Sequence, residues 1–186
     1  MSNTSSSRTN SSLQVRRLTC AAACLALALV LPFLTGQIPE IGSALCPMHI
    51  PVLLCGFLCG WPWGLAVGLI APLLRSLIFG MPPMFPIAVA MAFELAVYGG
   101  MAGWLYRRFP KTIPGIYAAL VIAMISGRVV WGIVRLLLAG LSGNSFTWAA
   151  FLSGAITSAV PGIIVQLVLI PAIVYALEKA GLSFNR

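Results

Sequence analysis

Apolar residues in this chain occur in long runs, without the apolar-polar alternation that marks a half-buried strand. Short stretches rich in proline, glycine or polar residues separate the runs. Five runs predict full-length helices, at about residues 15–34, 62–79, 87–106, 114–138 and 147–178. A helix needs roughly 17–25 apolar residues to cross a bilayer, so each of these is a candidate span.

A sixth apolar run is only half as long. About ten apolar residues follow His49 before Trp61-Pro62-Trp63 interrupts the run, and a span needs about 20. The run is too apolar for a surface loop. We therefore predict a short second helix, which makes six segments and places both termini on one side of the membrane.

Composition supports a membrane protein. The 186 residues are 60% hydrophobic and 8% charged, whereas soluble domains carry about 25% charged residues. Only helices and closed barrels satisfy their backbone hydrogen bonds in lipid, and the continuous runs favour helices. The predicted fold is an all-α integral membrane protein, a six-helix bundle with a short second helix.

The net charge of +8 raises the possibility of nucleic-acid binding, but the positions of the charges argue against it. The three loops at 36–48, 80–86 and 139–146 contain no Lys or Arg, so the positive-inside rule places both termini in the cytoplasm. We predict a disordered cytoplasmic tail at 1–12, a membrane domain at 13–180 and a second cytoplasmic tail at 181–186. The basic residues that flank the runs are Arg8, Arg16, Arg17, Arg107, Arg108, Lys111, Lys179 and Arg186.

Four charged residues lie inside the apolar runs, where each costs at least ~2.5 kcal/mol. From the rise of a helix, Arg75 and Arg135 lie ~5–6 Å below the outer helix ends, Glu94 ~12 Å and Arg128 ~15 Å. Trp131 shares the face of Arg128 and Arg135. The charges therefore form an upper layer of two arginines and a lower layer with one arginine and one glutamate.

Two interpretations of these charges stay open. In the structural one, Glu94 neutralises Arg128, while Arg75 and Arg135 reach the headgroups. In the functional one, three cations against one anion line a cavity that takes an anionic ligand, since guanidinium groups suit carboxylates. His49 and the loop residue Asn144, both at the outer mouth, complete the predicted substrate-binding set.

Catalytic and metal-binding sets are not apparent. The chain has one His and three acidic residues, all Glu, and it has no Walker motif, so we predict neither an enzyme nor a cofactor site. Because a metal site would want more His or acidic partners, we interpret the cysteines as small apolar packing residues. They are Cys20, Cys24, Cys46, Cys55 and Cys59.

Helix 1 contains a small-residue pattern, Ala22-x-x-x-Ala26, directly after Arg16-Arg17. Such a pattern lets another membrane helix approach closely. We predict that Ala22 and Ala26 form a docking face for a partner.

These features together resemble the substrate-binding S component of an energy-coupling-factor (ECF) vitamin transporter. The resemblance covers about residues 13–180, and its most specific parts are the run "PMHIPVLLCGFLCGWPWGLAVGLIAPLLRSLIFGMPPMFP" and the following "MAFELAVYGG". It implies a short second helix packed inside the bundle and a first outer loop folded over the ligand.

The resemblance also implies function and partners. It implies that the chain sits in the bacterial plasma membrane and captures a vitamin-like molecule at the outer face. It further implies docking, through the alanine pattern, on a membrane-embedded T component driven by two cytoplasmic ATPase subunits. The arginine excess favours a carboxylate-bearing substrate, with pantothenate first and folate, nicotinate or a queuosine precursor as alternatives. The competing hypothesis is a membrane scaffold or assembly subunit without a small-molecule ligand.

Overall fold

The computed structural model describes residues 3–35, 45–141, 160–181 and 183–185. Within these ranges the chain is helical and contains no strand, and five helices are long and apolar enough to cross a membrane. The predicted all-α class, with a short second helix, is confirmed. The helices are α1 (Asn3–Val30), α2 (His49–Cys59), α3 (Trp61–Phe79), α4 (Val89–Arg108), α5 (Ile113–Leu141) and α6 (Val160–Lys179).

The start of α1 differs from the sequence prediction. We expected the helix to begin at about residue 15, but it begins at Asn3. Once a helix is nucleated, each further residue adds a hydrogen bond at low cost, and no Pro or Gly interrupts residues 3–31. A 3₁₀ turn over Leu31–Thr35 follows α1.

The other helix ends agree with the prediction to within four residues wherever the structure describes them. The helix α5 extends one residue before and three residues beyond its predicted range of 114–138. The predicted first part of α6, residues 147–159, lies outside the described residues. Between α3 and α4, Gly80 ends α3 with a φ of 70°. A short π-helical turn covers Met84–Ala88, and within it the backbone of Phe85 is extended.

The short helix α2 lies inside the bundle. Nine of its eleven residues are buried, and it packs against α1, α3, α4 and α6. A helix that is apolar on all sides is stable only when neighbours cover every side, which explains why this run does not reach the lipid. Gly60 alone separates α2 from α3, at a φ of 99° and a ψ of 169°, a conformation that essentially only glycine adopts.

Helices α3 and α4 approach closely at paired glycines. A Cβ added at Gly99 would overlap the carbonyl oxygen of Gly64, and one added at Gly64 would overlap that of Gly99. Because lipid provides little hydrophobic drive between helices, close backbone packing at such small residues is what holds membrane helices together. The contact fixes α4, which carries Glu94, against the core.

The residues after α6 fold back onto the bundle. The backbone N–H of Phe184 donates to the Leu58 carbonyl at 2.8 Å, and Asn185 Nδ2 donates to the Gly103 carbonyl at 3.0 Å. Leu58 lies in the last turn of α2, whose carbonyls have no partner within the helix. Residues 183–185 of the predicted cytoplasmic tail at 181–186 pack on this helix end, and Arg17 Nη2 donates to the Phe184 carbonyl at 2.6 Å.

Candidate functional site

A buried ion pair joins the second turn of α4 to the middle of α5. Arg128 Nη1 lies 3.0 Å from Glu94 Oε1, and the side chains are 16% and 2% exposed, respectively. The contact is not aligned as a hydrogen bond, so Glu94 Oε1 keeps an unused acceptor position. Because α5 ends at Leu141, Arg128 lies about 20 Å from that end of the helix, farther than the ~15 Å that the sequence predicted.

His49, the first residue of α2, faces the same carboxylate. Its Nε2 lies 3.6 Å from Glu94 Oε1, beyond hydrogen-bond distance, and neither ring nitrogen has a hydrogen-bond partner. The ring is 3% exposed. A buried imidazole whose two nitrogens have no hydrogen-bond partner can form hydrogen bonds with a ligand.

Tyr98 closes the site from one side. It lies one turn after Glu94 on α4, its ring centroid is 5.2 Å from that of His49, and its buried hydroxyl has no hydrogen-bond partner. Gly127, next to Arg128, makes this position possible, because a Cβ there would overlap the Tyr98 ring. His49, Glu94, Tyr98 and Arg128 are called the polar cluster below.

A tight turn before α2 brings the thiol of Cys46 into contact with Arg128. Cys46 adopts a φ of 48°, which is uncommon for a residue other than glycine, and its carbonyl accepts the backbone N–H of His49 at 3.0 Å. Arg128 Nη2 donates to Cys46 Sγ at 3.7 Å. Strained backbone of this kind is frequent at ligand sites. The turn connects the start of α2 to the deep arginine.

Arg75, predicted in the upper layer, lies in a different environment. It is buried at 3% exposure, and its Nη1 donates to the Leu29 carbonyl. Its guanidinium carbon lies 4.9 Å from the ring centroid of Phe33 and 5.4 Å from that of Phe79. Leu29 belongs to the last turn of α1, where a cation stabilises the carbonyl end of the helix. These contacts describe a helix cap, and the predicted substrate role of Arg75 gains no support from them.

The remaining predicted residues divide into two groups. Arg135 lies over Trp131, with 5.8 Å between the guanidinium carbon and the ring centroid. It lies seven residues, or about two turns, beyond Arg128 on α5. Asn144 lies outside the described residues. The structure therefore brings His49, Glu94 and Arg128 together, with Trp131 and Arg135 above them on the same helix.

Sequence reasoning missed Tyr98 and Gln166. Tyr98 follows Glu94 at the i+4 spacing that places both on one helix face, a signal available in the sequence. Gln166 on α6 is 1% exposed, and its Oε1 has no hydrogen-bond partner. In an apolar segment, such a residue is a second candidate for ligand contact.

The predicted docking residues lie on the side of α1 that faces away from the rest of the bundle. Ala22 and Ala26 are exposed, whereas Ala21, Cys24 and Ala28 are buried against the bundle. At 100° per residue, Ala22 and Ala26 each lie about 160° around the helix from Cys24. This small-residue face is therefore open to a neighbour.

The fold and the cluster define a class: a multi-pass helical membrane protein with a buried polar site. The part of the chain that the structure describes holds no group of three or more His, Cys, Asp or Glu residues arranged for a metal ion. These features are consistent with a subunit that binds a small polar molecule within the membrane.

Comparison with known proteins identifies the family. The sequence model described as "ECF transporter, substrate-specific component" matches residues 16–174, so the chain belongs to this family. No curated protein and no solved structure matches the chain. The protein is a substrate-binding subunit of an ECF transporter and not an enzyme, and its family implies association with the T and ATPase subunits.

Proposed function

We propose that the chain captures a polar, carboxylate-bearing vitamin at the polar cluster and delivers it to the ECF module. One observation carries the proposal. A buried ion pair of 3.0 Å is surrounded by groups with unused hydrogen-bonding capacity, on His49, Glu94 and Tyr98. Buried polar atoms in native proteins are nearly always paired, so a cluster of unused ones indicates the place of a ligand.

The charges of the cluster limit the chemistry of the ligand. Arg128 is already paired with Glu94, so the site offers one guanidinium and one carboxylate rather than an excess of cations. A suitable ligand brings an anionic group to Arg128 and a hydroxyl or N–H donor to Glu94. Pantothenate, with a carboxylate, two hydroxyls and an amide, meets both requirements and is our first candidate. Folate, nicotinate and queuosine precursors are the alternatives.

The test is to identify the molecule that the protein carries. Protein purified in mild detergent is denatured, and the released small molecules are identified by mass spectrometry. We expect a near-stoichiometric vitamin from the wild type and much less from Arg128→Met. The control is Arg107→Met, which removes an exposed arginine at the end of α4. A wild type that binds none of the candidate vitamins would reject the proposal.

We further propose that α1 docks on the T component through Ala22 and Ala26. The support is the exposure of both alanines on the side of α1 that faces away from the bundle. Small residues allow the close backbone approach that holds membrane helices together. A cell-based uptake assay on Ala22→Leu and Ala26→Leu, with ligand binding measured in parallel, tests this role.

We also propose that both termini lie in the cytoplasm. Arg17 and Lys111 contact the carbonyls of Phe184 and Asn185, so both chain ends and the α4–α5 connection, all basic, lie at one end of the bundle. The positive-inside rule assigns that end to the cytoplasm. Reporter fusions that are active on only one side of the membrane, placed at either terminus, test the assignment.

The pairing of buried charges within the protein supports the alternative hypothesis of a scaffold without a ligand. The Glu94–Arg128 pair and the contact of Arg75 with the end of α1 both satisfy buried charges within the protein. A scaffold would explain these contacts but not the unused polar atoms around them. It predicts no bound small molecule, so the same mass spectrometry experiment separates the two hypotheses.

A further inference from the structure

The apolar core of the bundle ends at one level on four helices, α2, α4, α5 and α6. Each helix has a core residue at this level, and these are, in order, Leu53, Tyr98, Met124 and Ile170. One turn farther from the end of the bundle where residues 183–185 pack, each helix carries a polar residue four positions away. These are His49, Glu94, Arg128 and Gln166. Gln166 thus holds on α6 the position that members of the polar cluster hold on the other three helices.

Helix lengths place Gln166 at the depth of the ion pair. It lies 13 residues from the end of α6, while Glu94 lies 14 residues from the end of α4 and Arg128 lies 15 residues from the start of α5. At 1.5 Å per residue, all three lie about 20–23 Å from the same end of the bundle. Helix α6 packs against α2 and α5, the helices that carry His49 and Arg128. The position of Gln166 therefore makes α6 a further wall of the site.

The side chain of Gln166 is on the buried face of α6. It is 1% exposed, and Ile170 and Val174, one and two turns along the same face, belong to the apolar core. The Gln166 Oε1 has no hydrogen-bond partner. Because buried polar atoms in native proteins are nearly always paired, this oxygen indicates that a donor from outside the chain binds there.

Two groups at this level can only accept hydrogen bonds from a ligand at their oxygens. The Glu94 carboxylate has an unused acceptor position on Oε1, and the amide oxygen of Gln166 has no donor. His49 and Tyr98 can each donate as well as accept, so they restrict the ligand less. The two acceptors lie on different helices, α4 and α6, and therefore require two separate donors.

We propose that Gln166 is a specificity-determining residue of the substrate site, whose Oε1 accepts an N–H or O–H group of the ligand. The inference rests on the proposed function. It narrows the substrate class to carboxylates that carry at least two separate hydrogen-bond donors, one for Glu94 and one for Gln166. Pantothenate and folate belong to this class. Nicotinate does not, because at neutral pH it has only a carboxylate and a ring nitrogen that accepts.

The test compares the affinities of the wild type and Gln166→Met for three probes, pantothenate, folate and nicotinate, by isothermal titration in mild detergent. Methionine is close to glutamine in length but has no amide, so the change nearly conserves volume. We expect the wild type to bind pantothenate or folate. Gln166→Met should lose roughly 5- to 150-fold in affinity for that vitamin, because a donor of the ligand is left unpaired. The weaker binding of nicotinate should not weaken further.

The matched control is Gln14→Met, which removes an exposed amide of α1 and should bind like the wild type. The melting temperature of Gln166→Met should equal or exceed that of the wild type, because the change removes an unpaired buried group. A lower melting temperature, with affinity for all probes reduced by the same factor, would assign Gln166 to structure and overturn the proposal.

Two other results separate this inference from the proposed function. Equal affinities of the wild type and Gln166→Met for the bound vitamin, with binding still lost in Arg128→Met, would overturn the role of Gln166 and leave the proposed function intact. A wild type that binds nicotinate most tightly of the three would do the same. A wild type that binds none of the three carboxylates would reject the proposed carboxylate-bearing vitamin and this inference with it.

Discussion

Removal of Arg128 tests whether the polar cluster binds substrate or only stabilises the fold. At 3.0 Å and an effective dielectric constant of about 20, the attraction between Arg128 and Glu94 is about 5.5 kcal/mol. Glu94 is 2% exposed, so Arg128→Met leaves a buried carboxylate without its cation, which typically costs 3–5 kcal/mol. For a chain of this size, that cost lowers the melting temperature by roughly 6–20 °C.

The double variant Glu94→Gln/Arg128→Met removes both charges and the unpaired buried anion with them. We therefore expect it to melt closer to the wild type than Arg128→Met does, in tryptophan-fluorescence unfolding of the purified protein. The double variant should therefore recover most of the melting temperature without recovering the affinity for the ligand. If the substrate anion pairs with Arg128, the double variant stays deficient by about 2–5 kcal/mol in binding, a loss of roughly 30-fold to several thousandfold in affinity.

The assay is isothermal titration of each purified variant with the vitamin released from the wild type, using Arg107→Met as the control. A double variant that melts and binds like the wild type would refute the reasoning. The Glu94–Arg128 pair would then be structural, and the ligand would have to lie elsewhere.

Three further predictions concern docking, packing and the outer loop. Ala26→Leu should abolish uptake in cells while the purified protein binds ligand normally, and Ala172→Leu, at another exposed alanine, should affect neither measurement. Gly99→Ala should lower the melting temperature sharply because its Cβ overlaps the α3 backbone, whereas Gly100→Ala meets only ordinary contacts with Leu65 and should be tolerated; equal melting temperatures would contradict this. We also predict that the loop at 80–86, one of the three that contain no Lys or Arg, closes over the ligand. In hydrogen exchange this loop should gain protection when ligand saturates the protein, and unchanged exchange would reject this role.

The fold was largely predictable because lipid restricts the options. Long apolar runs can only be helices, and the short run after His49 had to be buried because it is apolar on all sides and too short to span. The helix ends were less predictable. The extension of α1 to Asn3 depends on an uninterrupted backbone rather than on hydrophobic periodicity, and the packing of Asn185 on α2 is a tertiary contact with no local signal.

The site was predictable only in part. The pairing of Glu94 with Arg128 followed from their similar estimated depths, and the structure places them in contact. Depth along a helix does not give direction around the bundle. The sequence could therefore not show that Arg75 contacts the end of α1, or that Tyr98 packs over Gly127 beside the ion pair.

The most direct test of the account is an experimental structure of the protein purified with its natural ligand. We expect the ligand to lie within hydrogen-bonding distance of Arg128, with a donor facing Glu94 and at least one contact to Tyr98 or His49. A ligand bound elsewhere, with the Glu94–Arg128 pair unchanged and the Tyr98 hydroxyl still without a partner, would contradict the central claim.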